Sequence, residues 1–383
     1  MNASCSMFSQ ILKLIPRTDF ERLVKHTQAE RHARGFSSWQ QFVAMLFCQL
    51  GQAHSLREIC GGLASCEGKL SQLGAREPSK STLGYANKNR DWRLFEAVFY
   101  QLLDRCRQLP SGKKFRFKNK LLSLDATTIE MSIAAYPWAK YRKNKGAVKL
   151  HFTLDHHGYL PEWLVVATGR KSELAMARLR HFEPGTIVVF DRGYIEFGWF
   201  WKLTQAGVFF VTRIKKSARF EIVEQRDCPK NRGIEADQII RYTFHRTRKK
   251  YPELLRRVVA RTPEGEVFEF LTNNFDLAAS TIAAIYKDRW QIESFFKILK
   301  QNLRIKTFVG TSFNAVLIQI WTALIALLLL KYLQLKAQFN WSMSNLAALL
   351  RMNLFVYRDL WEWIDKPFHP PPPLPDQLPL QFT

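Results

Sequence analysis

Apolar positions recur at helical spacing from the N-terminus to about Leu109. Trp39 to Leu50 is apolar around most of its circumference, as a helix packed inside would be. Ser38-x-x-Gln41 and Ser55-x-x-Glu58 read as capping boxes that open helices. Ser55 to Leu63, a Gly-containing turn region and Ser79 to Asn89 predict a helix-turn-helix-like arrangement. Its last segment, SKSTLGYANKNR, is small, polar and basic, as a groove-reading helix is; a plain helical bundle with a solvated basic face is the alternative. Asp91 opens one more helix through Leu109, with Trp92, Phe95, Val98, Phe99 and Leu102 on its apolar stripe.

Pro110-Ser-Gly-Lys-Lys interrupts this pattern, and beyond it the period changes. KNKLLSLDATT holds a short apolar run ending in Asp125. AVKLHFTLDHHGYLPEWLVVATG gives two strands around a turn at His157-Gly158, and Ser172 to Phe182 reads as a helix. TIVVF is a buried-type strand with Asp191 at its end. From Val208 to Asn273 five more strands follow: FFVTRIK, FEIVEQ, IIRYTFHR, LLRRVVAR and VFEFLTN. Tyr286 to Lys300, YKDRWQIESFFKILK, has no Gly or Pro and reads as one helix. An apolar helix to about Leu333 and a shorter one from Ser342 to Arg351 come next, and a Pro-rich segment, FHPPPPLPDQLPLQFT, reads as an extended tail.

Charge narrows the partners. Among 383 residues, 57 Lys and Arg stand against 33 Asp and Glu, a formal net charge of +24. The excess is spread along the chain, which suits a long polyanion such as DNA better than an anionic membrane surface. The six Cys form no Cys-x2-Cys pair and no His cluster has zinc-finger spacing, which fits a reducing cytoplasm. Residues 307–330 carry no charge, but Gly310, Thr311, Ser312, Asn314 and Gln319 interrupt them. What remains is short of the roughly 20 apolar residues of a membrane span, so a buried core helix is expected and no membrane partner.

The stretch from Tyr286 to Lys300 carries the candidate chemistry. At about 100° per residue, Tyr286, Arg289, Glu293, Lys297 and Lys300 share one face, beside an apolar face of Ile285, Ile292, Phe296 and Leu299. A surface helix laced with ion pairs is the plain interpretation. Against it, cations outnumber the lone carboxylate, and a bulky Tyr sits among them. Tyr286-x2-Arg289-x3-Glu293-x6-Lys300 resembles the signature of bacterial insertion-sequence transposases with an Asp-Asp-Glu site, of the insertion sequence family four type. LTNNF before it and KILKQNLRIKTFVGTS after it are similar too.

The resemblance implies an α/β fold: a ribonuclease H-like catalytic core at 111–335 with a β-rich insertion at about 208–273. An all-α DNA-binding domain at 1–110 would precede it, and a C-terminal helix and tail at 336–383 would follow. The order strand, strand, strand, helix, strand agrees with that core. Asp125 and Asp191, each expected where a strand runs into a loop and on neighbouring strands, would complete a catalytic and metal-binding set with Glu293. Three acids with few His suit Mg²⁺, or Mn²⁺ in its place, better than Zn²⁺. Tyr286, Arg289 and Lys300 are implied phosphate contacts, with Lys297 on the same face. Arg192 and Tyr194 beside Asp191, and Lys140, Arg142 and Lys143 between the first two strands, are further expected DNA contacts. Trp290 is read either as a stacking platform for a flipped base or as a core residue, and Glu173 as a structural helix residue. The implied activity is binding of terminal inverted repeats in double-stranded DNA, cleavage at the element ends and joining to target DNA. A homodimer in the synaptic complex and a cytoplasmic, nucleoid-associated setting go with it. A metal-dependent nuclease without strand transfer and a non-catalytic DNA-binding regulator are the rival readings.

Overall fold

The computed structural model describes residues 5–369, apart from residues 32, 34, 67–68, 111, 113, 143–144, 229–232, 304 and 306. Most of the Pro-rich tail, from residue 370 on, therefore lies outside the described residues. In chain order the elements are α1 (Met7–Leu12), α2 (Arg17–Thr27), α3 (Ser38–Leu50), α4 (Leu56–Ala64), α5 (Lys80–Asn89) and α6 (Arg93–Arg107). Then come β1 (Leu121–Met131), β2 (Lys140–Arg142), β3 (Lys145–Asp155), β4 (Leu160–Thr168), α7 (Glu173–Ala177), β5 (Ile187–Val189), α8 (Phe197–Gln205) and β6 (Phe209–Arg213). β7 (Phe220–Arg226), β8 (Ile234–Tyr242), α9 (His245–Lys250), β9 (Leu255–Arg261) and β10 (Val267–Thr272) follow. The chain continues through α10 (Ala279–Asp288), α11 (Trp290–Asn302), α12 (Phe313–Lys336), α13 (Met343–Met352) and α14 (Leu360–Asp365).

Two compact units result: residues 1–110 with 297–383, and residues 111–296. The division falls inside α11, well before residue 335. In the first unit every described element is helical, and α12 is its centre. From Ala315 to Leu330 every residue of α12 is buried, packed with α3, α5, α6 and α13. It is the one described helix long and apolar enough to cross a membrane, and its burial here makes it a core helix. Its N-terminus is tied down by Asn314, whose side-chain amide donates to the carbonyls of Asn87 at 2.8 Å and Arg90 at 2.6 Å. The capping box of α3 lies one residue earlier than its expected place, on Ser37 and Gln40. Ser55 caps α4 as expected, accepting from the Glu58 backbone.

The second unit is mixed α/β around one ten-stranded sheet, in the order β2-β3-β1-β5-β6-β10-β9-β8-β7, with β4 on β3. β1, β5 and β6 are parallel and the other pairings antiparallel. The β-rich stretch after residue 208 therefore extends the same sheet. β1 differs from expectation in length. Thr127, Thr128 and Ile129 are β-branched, and pairing with β3 continues as far as Met131, so Asp125 lies in mid-strand and not at a strand end. Side chains alternate between the two faces. Leu124, Val188, Phe190 and Phe210 pack under Trp199 and Phe200 of α8 on one face. Leu121, Ile187, Val189 and Val211 pack under Ile282, Ile285 and Tyr286 of α10 on the other. Each such side chain, fully buried, contributes roughly 1.5–3 kcal/mol to stability.

Candidate active site

Strand register brings the two aspartates together. β1 and β5 run parallel, with Leu121 beside Ile187 and Ser123 beside Val189. Continuing that register by two residues puts Asp125 beside Asp191, both on the face covered by α10. The two differ in local setting. Asp191 leaves the strand and caps a short 3-10 turn, accepting from the Gly193 amide at 2.8 Å. Asp125 accepts from the Ala126 amide at 2.7 Å, and its side chain is 19% exposed.

Glu293 arrives from above the sheet. Phe152, opposite Asp125 on β3, makes edge contacts with Phe295 and Phe296 of α11 at 5.3 and 5.4 Å between centroids. These fix the helix over β1. The single helix expected from Tyr286 to Lys300 is two helices, with a turn at Arg289. There the backbone tightens: the Arg289 amide bonds to the Tyr286 carbonyl and the Ile292 amide to the Arg289 carbonyl, three residues apart and not four. Tyr286 and Glu293 thus belong to different helices.

Arg289 fills the space between the carboxylates. Its guanidinium lies 2.8 Å from Glu293 Oε1 and 3.5 Å from Asp125 Oδ2, while its Nε is buried without a partner. Burial opposes its charge, but the Tyr286 phenol and the two carboxylates outweigh this and hold its pKa above the ordinary value. Burial pushes the Asp125 carboxyl up to about 7. Its Ala126 hydrogen bond and Arg289 pull the other way, and the charges of Asp191 and Glu293 add to the rise. Tyr194 is buried beside these acids with its hydroxyl unpartnered, and its pKa is raised by burial and by the charges of Asp125, Glu173 and Asp191.

The expected DNA contacts separate into three groups. Arg192, Lys140 and Lys297 are exposed, Lys300 is half-buried, and Lys297 and Lys300 fall in the helical unit. Tyr286 and Tyr194 are buried, Tyr286 against Phe270 at 5.1 Å, so neither phenol presents a free surface. Arg289 is committed to carboxylates. Lys140 and Arg142 lie on β2, a short strand paired with β3, and not in a loop. The side chain of Arg142 and all of Lys143 lie outside the described residues. Trp290 is 60% exposed, which removes the core reading. Glu173 caps no cluster of its own and pairs with Lys149 at 3.0 Å.

Among the described residues no three His, Cys, Asp or Glu side chains stand close enough together to hold a metal ion. The Arg289 guanidinium stands between Asp125 and Glu293. The donor set still fits a hard divalent ion. It offers carboxylate oxygens alone, and Asp125, buried and with Asp191 and Glu293 nearby, is stabilised in its charged form by a positive neighbour. Sequence reasoning missed Asp288, His156, Ser123 and Tyr159, which are hydrogen-bonded beside this site. Nothing in their spacing marks them, because they come together only through the fold.

A family model described as Transposase DDE domain matches residues 116–329, and one described as a domain of unknown function matches residues 4–76. A putative transposase, y4zB, of Sinorhizobium fredii is 30% identical over 308 residues, covering 79% of this chain and 85% of that protein. A probable transposase for insertion sequence element IS5377 of Geobacillus stearothermophilus is 28% identical over 283 residues, covering 71% and 72%. Among solved structures, a piggyBac transposase in a synaptic complex with hairpin DNA aligns at a TM-score of 0.44 and 11% identity, covering 92% of this chain and 81% of that one.

Proposed function

The chain belongs to the Transposase DDE domain family, and from that membership we propose how its residues divide the work. It is an insertion-sequence transposase, a DNA-cleaving and strand-transferring enzyme that works with a divalent metal cation. Asp125, Asp191 and Glu293 are its catalytic carboxylates and hold the ion, Mg²⁺ by preference and Mn²⁺ in its place. The observation that carries this is the pairing of β1 with β5, which sets two aspartates side by side facing α10, with Glu293 reaching the same place through Arg289. When bound, divalent ions stabilise the attacking and leaving oxygens of an in-line displacement at phosphorus.

The protein's own part is positional and electrostatic. The parallel strands fix the two Asp, and the order β1, β3, β4, α7, β5 is read as a ribonuclease H-like core. Arg289 offsets the charge of Asp125 and Glu293, and its guanidinium would be a donor for a phosphate oxygen. Arg192, Lys140, Arg142, Lys143, Lys297 and Lys300 hold the DNA backbone, and Trp290 offers an exposed ring for stacking. Residues 1–110 recognise the terminal inverted repeats, and two copies bring the element ends together in the bacterial cytoplasm. Glu293→Gln keeps size and hydrogen bonding but removes a ligand charge. It abolishes cleavage of a terminal-repeat duplex, while a gel shift still shows end binding. Cleavage near the wild-type rate would reduce Glu293 to an ion-pair partner of Arg289. Cleavage by the wild type with no joined product would favour the nuclease reading.

A further inference from the structure

A buried hydrogen-bonded chain lies beside Asp125 on the same face of the sheet. Ser123 Oγ lies 2.7 Å from His156 Nε2, and His156 Nδ1 lies 2.6 Å from Asp288 Oδ2. Ser, His and Asp in this order suggest a hydrolytic nucleophile. Burial rules that out: Ser123 has no exposed surface, and His156 and Asp288 are nearly as deep. No substrate carbonyl or phosphorus can reach Ser123 Oγ.

What the chain joins is more informative. Ser123 is on β1, two residues before Asp125 and on the same face. His156 follows β3, in the turn before β4. Asp288 ends α10, immediately before Arg289 and five positions before Glu293. Two more donors reach Asp288. Lys114 Nζ binds Oδ1, and the Tyr159 hydroxyl lies 3.3 and 3.2 Å from the two oxygens. Tyr159 sits at φ 54°, a left-handed conformation rare for a bulky residue, so the β3–β4 turn is strained in the conformation that delivers its hydroxyl. Burial works to raise the Asp288 carboxyl, but the bonds from His156 and Lys114 outweigh it and hold it below its ordinary value. Asp288 is therefore an anionic anchor, and the helix turn at Arg289 comes directly after it.

We propose that Ser123, His156 and Asp288 are positioning residues for the transposase reaction: they fix the α10–α11 turn over β1 and so set Glu293 and Arg289 against Asp125. The proposal rests on the assignment of Asp125 and Glu293 above. Without the chain, α10 would still pack through Ile282 and Ile285, but the turn that follows would lose its tie to the strand bearing Asp125. Catalysis is sensitive to such ties, since misplacement of about 1 Å can cost on the order of 100-fold.

The test compares His156→Ala, His156→Asn and Ser123→Ala with wild type. An Asn carboxamide at 156 can still donate to Asp288. Four quantities are read: affinity for a terminal-repeat duplex, single-turnover cleavage rate, Mn²⁺ binding followed by electron paramagnetic resonance, and melting temperature. His156→Ala is expected to bind DNA as wild type does, yet to lose about 10–100-fold in cleavage and to bind Mn²⁺ more weakly, as lost supporting bonds to ligands do. His156→Asn recovers most of both. Wild-type cleavage in a folded His156→Ala overturns the proposal, and so does a loss that merely tracks melting temperature without recovery in His156→Asn. If His156→Ala does not fold, Ser123→Ala decides in the same way, because it removes only a hydroxyl. Glu293→Gln run alongside separates the two failures. If it still cuts, the carboxylate assignment falls; if it is inactive while His156→Ala cuts normally, only the positioning role falls.

Discussion

At the residue scale the site is a problem of burying carboxylates, and Asp125 shows it most clearly. An Asp ordinarily ionises near 3.8, and here burial with Asp191 and Glu293 nearby raises it to about 7. The sign follows from proton binding. Between pH 4 and 7 the folded chain holds a proton on Asp125 that the unfolded chain has lost, so stability falls as pH rises through this window. A shift of that size is worth up to roughly 4 kcal/mol, on the basis of about 1.4 kcal/mol per pH unit. In chelator, the melting temperature of the wild type should fall from pH 5 to pH 7.5. Asp125→Asn, which cannot ionise, should flatten that dependence; an equally steep fall would place the pH sensitivity elsewhere. Adding Mg²⁺ at pH 7.5 should restore stability to the wild type and not to Asp125→Asn. The residue types of this site were legible in the sequence, because Glu293 sits in a fixed spacing and the two Asp follow apolar runs. The role of Arg289 was only half legible. Its spacing marks it as part of the site, but a phosphate contact and a carboxylate clamp require the same residue.

At the element scale the sequence foretold strands better than their limits. All five strands after residue 208 were visible as apolar alternation, yet not that they extend the central sheet, since strand order is set by pairings between distant segments. The break at Arg289 was hidden for a similar reason. Nothing in YKDRWQIESFFKILK disfavours a continuous helix, and the residue just before the break, Asp288, is held by tertiary bonds that local propensity does not show. Besides apolar packing of Ile234, Val258 and Phe270 against α10, a buried ion pair ties the far part of the sheet to the segment before that helix. Arg256, 1% exposed, meets both oxygens of Asp237 at 2.8 and 2.7 Å, and its Nη1 donates to the carbonyls of Asn274 and Leu277 just before α10. Removing Asp237 leaves the buried Arg256 charge without its carboxylate. Asp237→Ala should therefore cost about 3–5 kcal/mol, seen as an earlier urea midpoint. Asp237→Asn, which keeps a hydrogen-bond acceptor, should cost less. Near-wild-type midpoints in both would mean that the pair is dispensable and that β8 and β9 hold the segment through apolar packing alone.

At the scale of the whole molecule the question is which of the 57 Lys and Arg serve DNA. Net charge does not answer it, because many cations are already neutralised within the protein. Glu196 is an example. Burial would raise its carboxyl, but hydrogen bonds from Lys250, Arg178 and two backbone amides outweigh this and hold it down at about 2. Lys250 and Arg178 lie 2.9 and 2.6 Å from it, so its single negative charge offsets one of their two positive charges. Lys140 and Lys145, on the two strands of the β2–β3 hairpin, are exposed and have no carboxylate partner among the described residues. Only cations of the second kind displace counterions from DNA on binding. Affinity for a terminal-repeat duplex should fall by about 10³–10⁵ between 50 and 200 mM salt, as expected for roughly 6–10 phosphate contacts. Lys140→Ala with Lys145→Ala should reduce the slope of log affinity against log salt by about 1 per residue. Lys250→Ala, which removes one partly offset charge, should change the slope by well under 1. Equal effects from the hairpin pair and from Lys250 would show that the protein meets DNA through its overall field, and that the β2–β3 hairpin is not a phosphate-binding edge.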